Sequence, residues 1–344
     1  MIILFACRRY RLRDIGLLRR GVVAAGHRLW VMELPFAVPV LLVAAIMRLF
    51  GLRMHLVISD KQIGDTFLAR LFGRHSTRML WNYADEWPSV GTRVPKQRVC
   101  FFREAGADAD LFVFAPQPIR SYQSSRSRSV VFVGDVTLDV KLPRGSQWWQ
   151  QRFGELARVH GYTFYLRPEY ELLIRENLDG GTDRRAARVL AKNLLRLWIV
   201  QAARAKFGDK IVLLGSNWSR FSLDSAPSIY TEAGRLEYFR SAVVNLDCAS
   251  KSGNSALYPR SSELISFAGG LLQVRCADAD IVYGERVDEF CFHDERTLIA
   301  RLDERLKESP EVRAERDAWL IERLRNRHLL MQHSINRMLN RAPC

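Results

Sequence analysis

An arginine and a glutamate, Arg260 and Glu263, lie three residues apart in the stretch YPRSSELISFAGGLLQV (258–274). Residues 262–268 have helical spacing, so Arg260 stands just before a predicted helix N-terminus, where the helix dipole favours a phosphate. Glu263 falls in the first turn, where a carboxylate can accept hydrogen bonds from both hydroxyls of a ribose. The two side chains could therefore hold one nucleotide at both ends. The structural alternative is that Glu263 only stabilises the end of its helix.

Three loops at predicted strand ends add small and basic residues, directly after residues 133 and 214 and at 251–254. Small residues let backbone N–H groups approach an anion, and Lys251 adds positive charge. Each loop alone is typical of any α/β fold, so the prediction depends on their occurring together with Arg260 and Glu263. The predicted binding set is Gly134, Asp135, Gly215, Ser216, Asn217, Lys251, Tyr258, Arg260, Ser261 and Glu263.

The elements that must position these residues alternate between strand and helix in two series. The first has predicted strands at 1–7, 28–34, 54–58, 79–83 and 110–114, and helices at 15–25, 39–50 and 66–72. The second has predicted strands at 130–133, 163–166, 210–214, 243–246 and 271–274, and helices at 148–160, 236–241 and 262–268. This alternation predicts the α/β class with two Rossmann-like domains and parallel sheets. Ligands of such sheets bind beyond the carboxyl ends of the strands, so we expect the ligand in the cleft between the domains.

A polar stretch separates the two series. Residues 119–129 are rich in Ser and Arg and lack periodicity, which predicts a linker, or alternatively a surface loop. The predicted domains are therefore 1–118 and 130–313. Residues 314–344 are predicted to form a terminal helix that crosses back to brace the first domain.

A long helix predicted over 182–206 interrupts the second series. One side carries apolar residues such as Leu190, Leu194 and Leu197, and another carries arginines and lysines. A basic amphipathic helix can lie on an anionic membrane. The alternative is an inserted helix that packs on its own domain and leaves its basic side in solvent. The sequence leaves both interpretations open.

The composition limits the possible partners. The 344 residues carry a formal net charge of +15, which indicates anionic partners: nucleic acid, phosphorylated small molecules or the inner face of a membrane. The longest apolar run, 34–47, is shorter than the roughly 20 residues that span a bilayer, so no membrane-spanning helix is expected. Cysteines without CxxC spacing indicate reduced thiols in a cytoplasm.

Several well-defined motifs are missing from the sequence. It contains no GxxxxGK[ST] loop, no GxGxxG after the first strand, no GxSxG elbow and no HExxH. P-loop nucleotidases and dinucleotide-binding proteins are therefore disfavoured. Zinc fingers and RNP-type aromatic motifs are also missing, so we expect no specific nucleic-acid binding in spite of the charge.

The stretch 258–274 resembles the pRxxE…G segment of group-1 glycosyltransferases with the GT-B fold, close to the spore maturation glycosyltransferase-like subfamily. Other segments are similar to that family in the same order: LWNYADEW (80–87) with REAGADADLFVFAP (103–116), the stretch beginning LLQVRCADADIVYG (271–284), and HSINR (333–337). The resemblance covers most of the chain, strongly after residue 210 and loosely before 120. It implies that the first domain binds the acceptor and the second binds a nucleotide-sugar donor.

The resemblance also implies roles for individual residues. Glu263 matches the glutamate that holds the donor ribose, and Arg260 matches the arginine near the diphosphate. No metal is expected, because backbone N–H groups, a helix N-terminus and basic side chains such as Arg260 and Lys251 can hold the charge of a diphosphate leaving group.

A base must deprotonate the acceptor hydroxyl if the transfer inverts the sugar carbon. Asp85 and Glu86 follow a predicted strand of the first domain and are the predicted catalytic carboxylates, with Asp14 and His27 as alternatives. The structural alternative for Asp85 is that it caps the loop beside Trp87.

We therefore predict a cytoplasmic enzyme that moves a sugar from a nucleotide-sugar donor to a glycan or lipid-linked cell-surface acceptor, without metal or cofactor. Peripheral association with the inner membrane face is an open alternative. The family's second glutamate is replaced by Ser255, which motivates another alternative, a non-catalytic GT-B binding or scaffold protein. The charge alone motivates a third, a basic nucleic-acid-binding protein.

Overall fold

The computed structural model describes residues 1–7, 15–33, 38–58, 72, 76–82, 96–100, 129–229, 231–248, 259–267, 269–327 and 330–340. The chain divides into two compact units: unit 1 is Met1–Gln117 with Leu324–Cys344, and unit 2 is Pro118–Arg323. The predicted strand at 110–114, the predicted helix at 66–72 except Phe72, and the predicted linker at 119–129 except Ser129 lie outside the described residues.

The described residues of unit 1 contain a parallel sheet with the strand order β2-β1-β3-β4-β5. The strands are β1 (Ile2–Cys7), β2 (Arg28–Glu33), β3 (Met54–Ile58), β4 (Ser76–Asn82) and β5 (Lys96–Cys100). Helix α1 (Ile15–Ala24) connects β1 to β2, and α2 (Val38–Leu49) connects β2 to β3. Ile3, Leu4 and Leu56 are buried, which explains the apolar runs of these strands. Strand β5 is not predicted from the sequence, because its residues, KQRVC, are mostly polar.

Two helices stand where the sequence predicts one over 314–344. Helix α11 (Pro310–Asn326) starts in unit 2, and α12 (Met331–Asn340) packs on α1 in unit 1. The first of them ends at Asn326, and asparagine, like glycine, is a common residue at helix ends.

Unit 2 repeats the topology of unit 1. Its parallel sheet has the order β10-β9-β8-β6-β7. The strands are β6 (Val130–Val133), β7 (Ile211–Leu214), β8 (Val244–Asp247), β9 (Leu271–Val274) and β10 (Cys291–Phe292). Numbered along the chain, both sheets follow the order 2-1-3-4-5 of one class of doubly wound fold. The predicted α/β class with two Rossmann-like domains is thereby confirmed.

Helices surround this second sheet. They are α3 (Gly145–His160), α4 (Pro168–Asn177), α5 (Gly181–Phe207), α6 (Glu232–Ser241), α7 (Pro259–Phe267), α8 (Ala277–Tyr283), α9 (Val287–Phe290) and α10 (Glu295–Lys307). The longest of them, α5, packs on α3 and α10. Its residues Leu190, Leu194 and Leu197 are buried in the core of unit 2. The apolar side of α5 therefore faces its own domain, as in the packing alternative, and is not available to a membrane.

One predicted strand of unit 2 is wrong. Residues Gly161–Leu166 form a 3₁₀ helix where the sequence predicts a strand over 163–166. Gly161 has φ +64°, and the next residue, Tyr162, donates its N–H to the carbonyl of His293 at 2.7 Å. Thr163, Phe164 and Tyr165 have strand-forming side chains, but they are buried against helices, and tertiary packing overrides strand propensity.

A buried carboxylate joins α11 to the sheet. Asp317 accepts a hydrogen bond at 3.0 Å from the N–H of Gly270, in the turn before β9. Burial raises the pKa of Asp317 to about 7, although this hydrogen bond acts in the opposite direction.

Candidate functional site

The candidate site lies in unit 2 at the carboxyl ends of β6, β7 and β8. In the sheet, β6 lies between β7 and β8, so the strand order reverses beside β6. At such a switch point the loops leave neighbouring strands towards opposite faces of the sheet and open a crevice that binds ligands. The residues that follow these strands, from Gly134, Gly215 and Cys248 onwards, are therefore candidates to contact a ligand.

Asp135 ties the loops after β6 and β7 together. Its Oδ1 accepts hydrogen bonds from the N–H of Ser216 at 2.7 Å and from Oγ of Ser228 at 2.8 Å. Burial alone would raise the pKa of Asp135, but the hydrogen bonds from Ser216 and Ser228 outweigh burial and hold this pKa below its usual value. The carboxylate is thus ionised at neutral pH and shapes the loop pair.

Gly134 and Gly215 come into close backbone contact in the same loop pair. A Cβ atom on Gly215 would lie 2.7 Å from the carbonyl carbon of Gly134 and closer still to its oxygen. That oxygen also accepts a hydrogen bond at 2.8 Å from Nε1 of Trp218. Asn217 has φ +69°, in the left-handed region that asparagine tolerates. The structure thus brings the two predicted loops together, and their role in donor binding stays a prediction.

Two basic residues of α5 reach this edge of the sheet. Nη1 of Arg196 donates to the carbonyl oxygen of Asp135 at 2.6 Å. Lys192, one turn earlier, and Arg196 both act electrostatically on Asp247, the last residue of β8. Neither residue is predicted for the site from the sequence, because the spacing of a basic face does not show which loops that face contacts.

Asp247 anchors the start of α7. Its Oδ2 accepts a hydrogen bond from Oγ of Ser261 at 2.7 Å, and its Oδ1 accepts one from the N–H of Cys248 at 3.0 Å. Asp247 and Ser261 are both buried. Burial raises the pKa of Asp247, and the positive charges of Arg260, Lys192 and Arg196 oppose this rise. Ser261, a predicted binding residue, therefore holds α7 against the strand end.

Helix α7 begins at Pro259, earlier than the predicted start at 262, because proline is favoured in the first helical turn. Arg260 accordingly lies inside the first turn and Glu263 in the second, a correction to the predicted register. The guanidinium carbon of Arg260 lies 5.7 Å from the ring centre of Phe239. Among the described residues, its buried Nη1 atom has no hydrogen-bond partner.

Glu263 is paired with Arg235 of α6. Oε1 of Glu263 accepts a hydrogen bond from Nη2 of Arg235 at 3.0 Å, and the two side chains are only 14% and 19% exposed. The sequence does not predict this protein donor, and the role of Glu263 in ribose binding stays a prediction. The partner lies on a different helix, so no local spacing could reveal it. Arg235 fixes the orientation of the carboxylate at the predicted ribose position.

The remaining predicted residues fall in two groups. Five of them lie outside the described residues, so their roles stay predictions: Asp14, Asp85, Glu86, Lys251 and Tyr258. His27, a predicted alternative base, directly precedes β2 and therefore lies at the amino ends of the strands of unit 1. Ligands of parallel sheets bind at the opposite edge.

Neither a metal site nor a membrane-spanning helix is found among the described residues. Within these ranges no group of three or more His, Cys, Asp and Glu side chains could hold a metal ion. The helices in the same part of the chain include none that is long and apolar enough to cross a membrane.

Comparisons with known proteins identify similar solved structures. No model of a known protein family and no curated protein matches the sequence. T4 phage β-glucosyltransferase in complex with UDP-glucose is 10% identical, with 99% of this chain and 100% of that chain covered and a TM-score of 0.48. The Escherichia coli trehalose-6-phosphate structure bound with UDP-2-fluoro glucose is 12% identical, with 99% of each chain covered and a TM-score of 0.43. Both TM-scores lie below 0.5, so no residue role is transferred from these proteins.

Proposed function

We propose that the chain is a glycosyltransferase with GT-B architecture, which binds a nucleotide-sugar donor at the switch point of unit 2. The observation that supports this most directly is the charged cluster around the start of α7. Arg235 orients Glu263 through an ion pair. The positive charges of Arg260, Lys192 and Arg196 all interact electrostatically with Asp247. A nucleoside diphosphate complements such a cluster, since its ribose hydroxyls donate to a carboxylate and its phosphate oxygens accept from basic groups.

The same cluster fits the chemistry of glycosyl transfer. The acceptor oxygen forms a bond to the anomeric carbon, while the bond from that carbon to the diphosphate oxygen breaks and the diphosphate leaves with the electron pair. Arg260, Lys192 and Arg196 would stabilise the departing negative charge, so we propose that no metal is required. The acceptor proton would pass to a carboxylate, for which Asp85 and Glu86 remain the candidates.

The finer assignment concerns the acceptor. We propose a glycan or lipid-linked cell-surface acceptor, bound by unit 1, and transfer in the cytoplasm. The support for this assignment is the sequence resemblance to group-1 glycosyltransferases, in which the first domain binds the acceptor.

The decisive experiment measures donor binding to matched variants. A thermal-shift screen of nucleoside diphosphates and nucleotide-sugars selects the best ligand, and calorimetric titration then measures its affinity for wild type, Glu263→Gln and Glu171→Gln. Glu171 is a matched control, because it pairs with Arg188 between α4 and α5 as Glu263 pairs with Arg235 between α6 and α7. Both variants lose one ion pair whose side chains are mostly buried, and they should lose similar stability.

Only the Glu263→Gln change should weaken the binding of the ligand. The expected loss of affinity is about tenfold or more, the scale of one charged hydrogen bond. Equal affinities of the two variants would refute the assigned site. A ligand that binds without any turnover, even with acceptor present, would favour the non-catalytic binding protein.

A further inference from the structure

Helix α2 of unit 1 exposes an unbroken apolar surface. Its inner side packs into the unit through Leu41, Ala44 and Ala45, which are 1%, 4% and 9% exposed. Its outer side and the following turn contain only apolar side chains, and the large ones are more than a third exposed. They are Val40, Leu42, Val43, Ile46, Met47, Leu49, Phe50 and Leu52. We call this set the α2 surface.

The α2 surface differs from the usual exterior of a helix. A surface helix carries charged or polar side chains on its outer side, and a helix that is apolar all round is normally buried. The single charged residue of α2, Arg48, is turned towards the unit, where Nη1 donates to the carbonyl of Phe72 at 2.8 Å. Contiguous exposed apolar side chains of this kind mark an interaction surface.

The charge of unit 1 indicates what covers the α2 surface. Residues 1–117 and 324–344 contain 21 Lys and Arg and 9 Asp and Glu, so unit 1 carries +12 of the total formal charge of +15. Unit 2 is larger and carries only +3. Exposed Arg53 follows directly on the α2 surface. Exposed apolar side chains on a strongly basic unit complement a partner that has an apolar interior and negative charges at its surface.

We propose that the α2 surface docks the protein on an anionic lipid bilayer. Leu49 and Phe50, which are 86% and 83% exposed, would enter the acyl region, while arginines such as Arg53 contact the headgroups. Twelve helical residues span about 18 Å, less than the hydrocarbon thickness, so α2 lies in the interface and does not cross it. A second copy of the chain is disfavoured as the occupant, because two basic units would face each other. This inference does not depend on glycosyl transfer.

Vesicle co-sedimentation with matched variants tests the proposal. Wild type is compared with Ile46→Gln/Phe50→Gln and with the control Val159→Gln/Leu172→Gln, whose apolar residues are exposed in unit 2. Vesicles of phosphatidylcholine alone and of phosphatidylcholine with phosphatidylglycerol are used at low and high salt. All altered side chains are exposed, and a circular-dichroism melt confirms that each variant is folded.

We expect wild type and control to bind the anionic vesicles alike, and the α2 variant to bind at least about tenfold more weakly. Arg53→Gln should weaken binding about fivefold at low salt and less at high salt. Equal binding of wild type and the α2 variant, or no preference of wild type for anionic vesicles, would overturn the proposal. The proposal would also be overturned if light scattering showed a dimer for wild type and a monomer for the α2 variant, and wild type did not bind vesicles.

Discussion

Helices α2 and α5 differ in where their apolar and charged side chains lie. The apolar side chains of α5 are buried in the core of unit 2, and two of its basic residues lie over the loops of the candidate site. The apolar side chains of α2 cover both of its sides, so most of them remain exposed. By sequence alone α5 is the membrane candidate, since it is long, basic and amphipathic. This difference shows that an apolar stripe on a helix is available for membrane binding only when no other element of the fold covers it.

The largest expected effect comes from a buried carboxylate of unit 2. The pKa of Asp317 is about 7 in the folded protein and 3.8 in the reference state. A raised pKa means that the stabilisation is complete below about pH 4 and is lost as the pH rises through 7, by up to about 4 kcal/mol. Asp317→Asn keeps an oxygen acceptor for Gly270 but cannot ionise. Urea unfolding at several pH values should therefore show that the stability of the variant relative to wild type rises from about pH 4 to about pH 7 and is constant above that. A pH-independent difference would show that Asp317 titrates normally.

The second effect contrasts the two helices directly. Leu190 of α5 is fully buried, so Leu190→Ala should cost about 3 kcal/mol of unfolding free energy. Val43 of α2 is 55% exposed, so Val43→Ala should change this free energy by less than about 0.5 kcal/mol. Denaturant titrations of both variants measure the contrast. A large loss with Val43→Ala would mean that the α2 surface is covered within the protein itself.

The smallest expected effect compares two arginines on α5. Arg196 contacts the loop after β6, whereas Arg185 is exposed near the amino end of the helix. Arg196→Gln should weaken nucleoside diphosphate binding about tenfold, while Arg185→Gln should leave it unchanged. Calorimetric titration measures the affinity of both variants. An equal loss of affinity in both would mean that α5 contributes only through its overall positive charge.

Much of the fold follows from sequence, because buried parallel strands form short apolar runs. The predicted bounds of β3 and β6 match the structure, and those of β9 do too. Strand β5 is not predicted because, among the described strands, it lies at the end of the sheet, where polar residues are compatible with a strand. The loops of the site are found by their glycines and small polar residues. Arg235 and Asp247 are not, because each gains its importance from a helix or charge distant in sequence.

The close contact between Gly134 and Gly215 has a consequence for variation of this chain. Any side chain at position 215 would collide with backbone, which cannot move without separating β6 from β7. In a library that randomises every position and selects for folded protein, position 215 should therefore return only glycine. Position 217, where the backbone is left-handed but the side chain is exposed, should return asparagine, aspartate and glycine.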